Sequence, residues 1–153
     1  MRFKTNDPAP PFNYWDHAEY RDIENLTSIL LDNKRSTFER NRAIFTLREL
    51  YTKESCIAIC QTLKPENFDI CSALLKHEVA FVLAQMEKVF KVSVPFLLAA
   101  CLDPREAGIV KHEGLVAVGE MIEDPKEIEH LLQHDDPIVS ESCAVALNNM
   151  QNR

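Results

Sequence analysis

Two stretches of this chain are written to one pattern. ALLKHEVAFVLAQM begins at Ala73 and GIVKHEGLVAVGEM begins at Gly108, so the triplet Lys-His-Glu recurs after 35 residues. Aligned on the triplets, apolar or small residues coincide at Leu75, Val79, Val82, Leu83 and Met86 in one, and at Val110, Gly114, Ala117, Val118 and Met121 in the other. The same template fits PIVSESCAVALNNM through Val139, Cys143, Ala146, Leu147 and Met150, and FERNRAIFTLREL through Ala43, Thr46, Leu47 and Leu50. These spacings form one stripe of an α-helix and exclude the alternation of a strand.

A shorter apolar segment precedes each template, at 22–32, 53–63, 93–103 and 125–134. The unit is helix–turn–helix, and the templates step by 36, 35 and 29 residues, close to the period of helical repeats and a little short of the HEAT length. Pro104, Pro125 and Pro137 fall at segment boundaries, where proline is tolerated or stops a helix. Only three glycines are present, which fits helices joined by short polar turns. The predicted fold is all-α: four HEAT-like helix–turn–helix repeats, about eight helices, stacked as a short right-handed α-solenoid over residues 21–153. Residues 1–20 do not fit the repeat. The proline-rich DPAPPF reads as part of a linker or tail, with Tyr14, Trp15 and Tyr20 placed to pack onto the first pair.

The histidines of the two triplets do not belong to the apolar stripe. With Leu75 at zero and about 100° per residue, the stripe centres near 25°, His77 points to about 200° and Glu78 to about 300°. His112 and Glu113 take the same phases. Inner helices of neighbouring repeats lie side by side about 10 Å apart, so equivalent residues face one another across the pair. Two imidazoles and two carboxylates are thereby expected on one patch of the concave face, flanked by Phe81 and Val116 and joined by Gln85 and Glu120. His-plus-carboxylate donors suit iron, manganese or zinc, and His and Glu on facing helices are the ligand style of di-iron carboxylate sites. The second histidine of HExxH is absent, and the cysteines are not spaced for structural zinc. Asn41-Arg42 and Glu141-Ser142 hold the triplet phases in the outer repeats, which read as caps. Lys76 and Lys111 read as solvated lysines, and His17, His130 and His134 as surface histidines. The five cysteines, odd in number, read as reduced core thiols. A net charge of −7 argues against nucleic acid as a partner, and no apolar run of membrane-spanning length is present. A cytoplasmic location follows as an expectation.

LLKHEVAFVLAQM and VKHEGLVAVGEM resemble the His-Glu motifs of deoxyhypusine hydroxylase, a HEAT-repeat di-iron monooxygenase, and DPAPP, FERNRAIFTLREL and IVSESCAVAL are similar to text of that enzyme's C-terminal half. The resemblance implies iron- and O2-dependent hydroxylation of the deoxyhypusine side chain of translation initiation factor 5A. It implies that His77 and His112 ligate iron and that Glu78 ligates the iron of the opposite half. It makes Glu113 a ligand, a base hydrogen-bonded behind the ligands or a contact for the substrate amine. Two irons need four His-Glu motifs, and two are present, so a second half is implied: another copy of this chain or an N-terminal half. A rival reading keeps the repeats without metal, as a non-enzymatic scaffold whose concave face grips a protein segment.

Overall fold

The computed structural model describes residues 7–153; residues 1–6 of the expected tail lie outside them. Among the described residues there are seven α-helices and six 3-10 segments. The inner helices are α2 (Thr37–Leu50), α4 (Ala73–Gln85), α6 (Gly108–Met121) and α7 (Pro137–Gln151). They pack side by side in that order. The outer helices are α1 (Ile23–Leu30), α3 (Lys53–Cys60) and α5 (Val94–Cys101), each packed on the inner helix that follows it. The fourth outer segment, expected as a helix over 125–134, is a pair of 3-10 turns, Pro125–Glu127 and Glu129–Gln133. Ile128, at φ −124° and ψ −6°, interrupts the helical backbone between the two turns.

Side-chain caps start three of the four inner helices; α6, which follows Ala107, has none. The Ser36 side chain accepts from the Glu39 amide, Ser72 from Leu75, and Asp136 from Ile138, while Pro137 occupies the first turn of α7. The template stripe is the core. Leu75, Val79, Val82, Leu83 and Met86 are buried, as are Val110, Ala117, Val118 and Met121, and in the outer repeats Ala43, Thr46, Leu47, Val139, Cys143 and Ala146. Two inner helices approach closely where α6 has no side chain: a Cβ on Gly119 would lie 2.9 Å from the Ala146 Cβ of α7. All five cysteines are free and buried, and burial pushes the Cys101 thiol up to about 12.

From residue 7 onward the proline-rich segment is packed. Ala9 and Phe12 are buried in the core, the Phe12 amide donates to Thr46 Oγ1 at 2.8 Å, and Phe12 stacks on Tyr20. The Arg42 guanidinium lies over the Phe12 ring and donates to the Pro10 and Pro11 carbonyls. Asp7 forms an ion pair with the fully buried Arg48 at 2.8 Å, and Arg48 also donates to Gln85 of α4. Composition pointed to a linker here because proline forbids a helix; it does not forbid an extended segment whose side chains are buried. The contacts lie on the face of α2 that carries Phe45. Phe45 is therefore buried, whereas Phe81, the equivalent residue of α4, is 52 % exposed.

Candidate metal centre

The triplets lie in the first half of α4 and of α6, so adjacent parallel helices carry them on the face away from the core. His77 Nε2 lies 3.7 Å from Glu113 Oε1 across the helix pair, and His77 Nδ1 lies 3.7 Å from Glu78 Oε1 within its own helix. Both distances exceed a hydrogen bond, so neither carboxylate holds the ring through a proton. His77 Nδ1 is closed off from solvent and has no hydrogen-bond partner. The three side chains remain partly open, His77 at 32 % exposure.

His112 is placed differently. Its Nδ1 lies 2.9 Å from the hydroxyl of Ser142, a buried residue of α7. The same register thus repeats: a triplet histidine meets, on the next inner helix, the residue one past the histidine phase. For His77 that residue is Glu113, and for His112 it is Ser142. The structure brings His77, Glu78 and Glu113 together; His112 shares their face, with one ring nitrogen engaged by α7. The hydroxyl–imidazole contact holds the ring by Nδ1, so Nε2 is the ring atom it leaves unused.

The surroundings are acidic with an apolar rim. Partial desolvation, and then the like charge of Glu113, raise the Glu120 carboxyl above its ordinary range, with Arg153 opposing. Phe38, Leu74, Ile109 and Ile138 occupy one repeat position on the four inner helices, three residues before the histidine phase, and all four are exposed. Phe81 and Val145 add a second exposed row on the other side.

Lys76 and Lys111 are not solvated, contrary to their sequence reading. Lys76 is buried and donates to Glu106 at 2.8 Å, and Lys111 donates to Asp136 at 2.7 Å. Each lysine leaves one inner helix and ends on the residues that lead into the next, so the two ion pairs tie α4 to α6 and α6 to α7. The equivalent Arg40 of α2 reaches the Ile70 carbonyl ahead of α4 at 2.7 Å. The signal was present in the acids at 106 and 136, which stand at nearly the same place before successive inner helices. Spacing within one helix does not contain it.

The donor types suit a transition ion. An imidazole nitrogen shielded from water without a hydrogen bond, beside two carboxylates, is costly unless something positive occupies the space between them. The set is nonetheless incomplete: no group of three or more His, Cys, Asp or Glu side chains among the described residues is gathered closely enough to hold a metal ion unaided. The chemistry fits a metal, and the donor number fits a site completed by further residues. No helix of the described residues is long and apolar enough to cross a membrane.

No family model matches the chain. It is 41 % identical over 145 residues to human deoxyhypusine hydroxylase, covering 93 % of this chain and 43 % of that protein. The deoxyhypusine hydroxylases of Drosophila melanogaster and Candida albicans are 40 % and 39 % identical over 144 residues, again 93 % of this chain and 44 % and 42 % of theirs. The solved structure of human deoxyhypusine hydroxylase in complex with glycerol superposes with a TM-score of 0.79 at 32 % identity, over 99 % of this chain and 49 % of that one. The chain spans somewhat under half the length of the curated relatives it matches. Over that half-length region it resembles deoxyhypusine hydroxylase in sequence and in structure alike.

Proposed function

We propose that this chain is one half, the C-terminal half, of a deoxyhypusine hydroxylase. The reaction is the hydroxylation of the deoxyhypusine side chain of translation initiation factor 5A in the cytoplasm, and the site is completed by a second half, either another copy or an N-terminal half. Residues 21–153 supply the four repeats and residues 1–20 the segment that leads into them. The observation that carries the reading is the grouping of His77 with Glu78 and Glu113 in a set too small to bind metal alone.

In this reading His77 and His112 are iron ligands, Glu78 reaches the iron of the opposite half, and Glu113 is a ligand or the group that meets the substrate amine. A pair of irons supplies the dioxygen activation that no amino-acid side chain can perform. What the chain itself supplies is position and charge. The Ser142 hydroxyl holds the His112 ring by Nδ1. Burial, and then the like charge of Glu113, disfavour ionisation of Glu120, and a cationic side chain beside the two carboxylates would relieve both costs. Phe81 and Val116 form the apolar wall against which the methylenes of that side chain can lie and from which water is displaced.

Sedimentation combined with elemental analysis, with and without ferrous iron, tests this. Iron is expected in proportion to assembled half-pairs, with hydroxylation of deoxyhypusine-bearing factor 5A in the assembled form. His77→Ala and His112→Ala lose the iron and remain helical. A wild-type protein that holds no iron in any oligomeric state would leave the scaffold reading, which the exposed apolar rows favour.

A further inference from the structure

The side-by-side contacts of the inner helices follow one register, and it gives Asn41 a neighbour. His77 of α4 meets Glu113 of α6, His112 of α6 meets Ser142 of α7, and Arg48 of α2 donates to Gln85 of α4 at 2.8 Å. In each case a residue at about 180–200° on one helix meets a residue at about 280–300° on the next. Asn41 holds the histidine phase of α2, so the same register sets it against Glu78, the residue beside His77. Asn41 is only 7 % exposed, and its Oδ1 is buried with no hydrogen-bond partner among the described residues. His77 Nδ1 is in the same condition, 3.7 Å from Glu78 Oε1. The two cations nearest in sequence to Asn41 on that face are turned elsewhere. Arg42 donates to the Pro10 and Pro11 carbonyls, and Arg48 to Asp7 and Gln85.

A buried polar atom without a partner is costly, and these two share one remedy. A carboxamide oxygen only accepts, and a neutral imidazole carries one N–H. Neither orphaned atom bonds the other directly. One water between them would meet three groups, the usual number for a buried water. With the ring proton on Nδ1, that water accepts from the imidazole and gives its two hydrogens to Asn41 Oδ1 and Glu78 Oε1, and every group is satisfied. With the proton on Nε2, three acceptors compete for two hydrogens, and one is left over.

We propose that Asn41 is a positioning residue for His77: through a shared water its carboxamide oxygen keeps the ring proton on Nδ1 and so leaves the Nε2 lone pair free on the side of Glu113. The place of the proton is a property of the metal-free chain; that it prepares Nε2 for an ion rests on the reading of His77 as a ligand. The two histidines are then held at the same ring atom by different groups, His77 by Asn41 and His112 by the Ser142 hydroxyl.

Nitrogen–proton correlation spectra of the labelled, metal-free chain, taken at a pH where the rings are neutral, read the tautomer of each histidine. His77 is expected with its proton on Nδ1 in wild type. Asn41→Leu should move most of that population to Nε2–H, the form a solvated histidine prefers. Asn41→Asp keeps an acceptor in the same place and should keep the wild-type tautomer. His112, held by α7, should be unmoved in both variants, which shows that the fold is intact. In the assembled half-pair, Asn41→Leu should weaken the hold on ferrous iron by about tenfold, read by competition with a chelator. Nε2–H at His77 in wild type overturns the proposal without any variant having to fold. The same tautomer in wild type and Asn41→Leu, or its loss in Asn41→Asp, overturns it as well. A wild type that shows Nδ1–H at His77 and takes up no iron when assembled overturns the ligand reading and leaves the role of Asn41 standing.

Discussion

At the scale of single residues, the two matched histidines are not equivalent. His77 makes no hydrogen bond, whereas His112 holds Ser142. In metal-free protein His77→Ala should cost under about 1 kcal/mol, while His112→Ala, by leaving a buried hydroxyl unpaired, should cost about 1–2 kcal/mol. Urea unfolding of the two variants compares them directly, and equal costs would mean that the Ser142 contact contributes nothing. The lysine ahead of each histidine is the larger structural element. Lys76→Met strands a buried Glu106 and should cost about 3–5 kcal/mol, and Lys76→Met/Glu106→Leu should recover most of it, because a buried pair replaced by apolar groups is close to neutral. A double variant no better than the single would show that the strut adds stability beyond its own charge balance. The triplet phases were legible from spacing. The lysine's destination was not, because its partner is 30 residues away on another helix.

At the scale of elements, the spacing of α6 and α7 is set by what α6 lacks. The Cβ added by Gly119→Ala would approach the Ala146 Cβ to 2.9 Å and Ala146 backbone atoms to 3.3 Å. Helix propensity would return up to about 1 kcal/mol, but backbone cannot rotate away, and overpacking costs about 1–3 kcal/mol. A net loss of stability on thermal unfolding is therefore expected, and a gain would show that the two helices separate freely. The same separation governs the His112–Ser142 contact, so the variant should also shift the His112 ring resonances. Seven of the helical segments were readable as α from their apolar period, and the eighth is 3-10. The proline-marked piece at 125–134 carries too little apolar repetition for the sequence to distinguish the two.

At the scale of the whole molecule, stability should respond to pH in two opposed limbs. The Lys111 hydrogen bond holds the Asp136 carboxyl below its ordinary range, and that of Arg105 does the same for Asp103. Groups with a lowered folded pKa contribute stability above the unfolded value of about 4, and it is lost as pH falls through the folded value. The acid limb should therefore flatten in Lys111→Met. Glu120 has the opposite sign. Its raised folded pKa gives a contribution fully present below the unfolded value and lost as pH rises through the folded one. Glu120→Gln should remove that loss, measured as the thermal midpoint across the mildly acidic range; an unchanged profile would mean that neither burial nor Glu113 raises Glu120 in the folded chain. A cation bound between them should suppress the same limb in wild type.

The amino-acid sequence by itself determined the helical unit, its repetition and the face that carries the histidines, because periodicity of about 100° per residue is a local property of the chain. It also determined which side chains are core, since the stripe at 75, 79, 82, 83 and 86 can be buried on only one side. Only the tertiary structure decided that the proline-rich segment covers α2, that Ser142 rather than a carboxylate meets His112, and that each lysine of a triplet runs to the next helix. Those contacts depend on the offset and distance between helices, which arise from packing many side chains at once and are written at no single position of the chain.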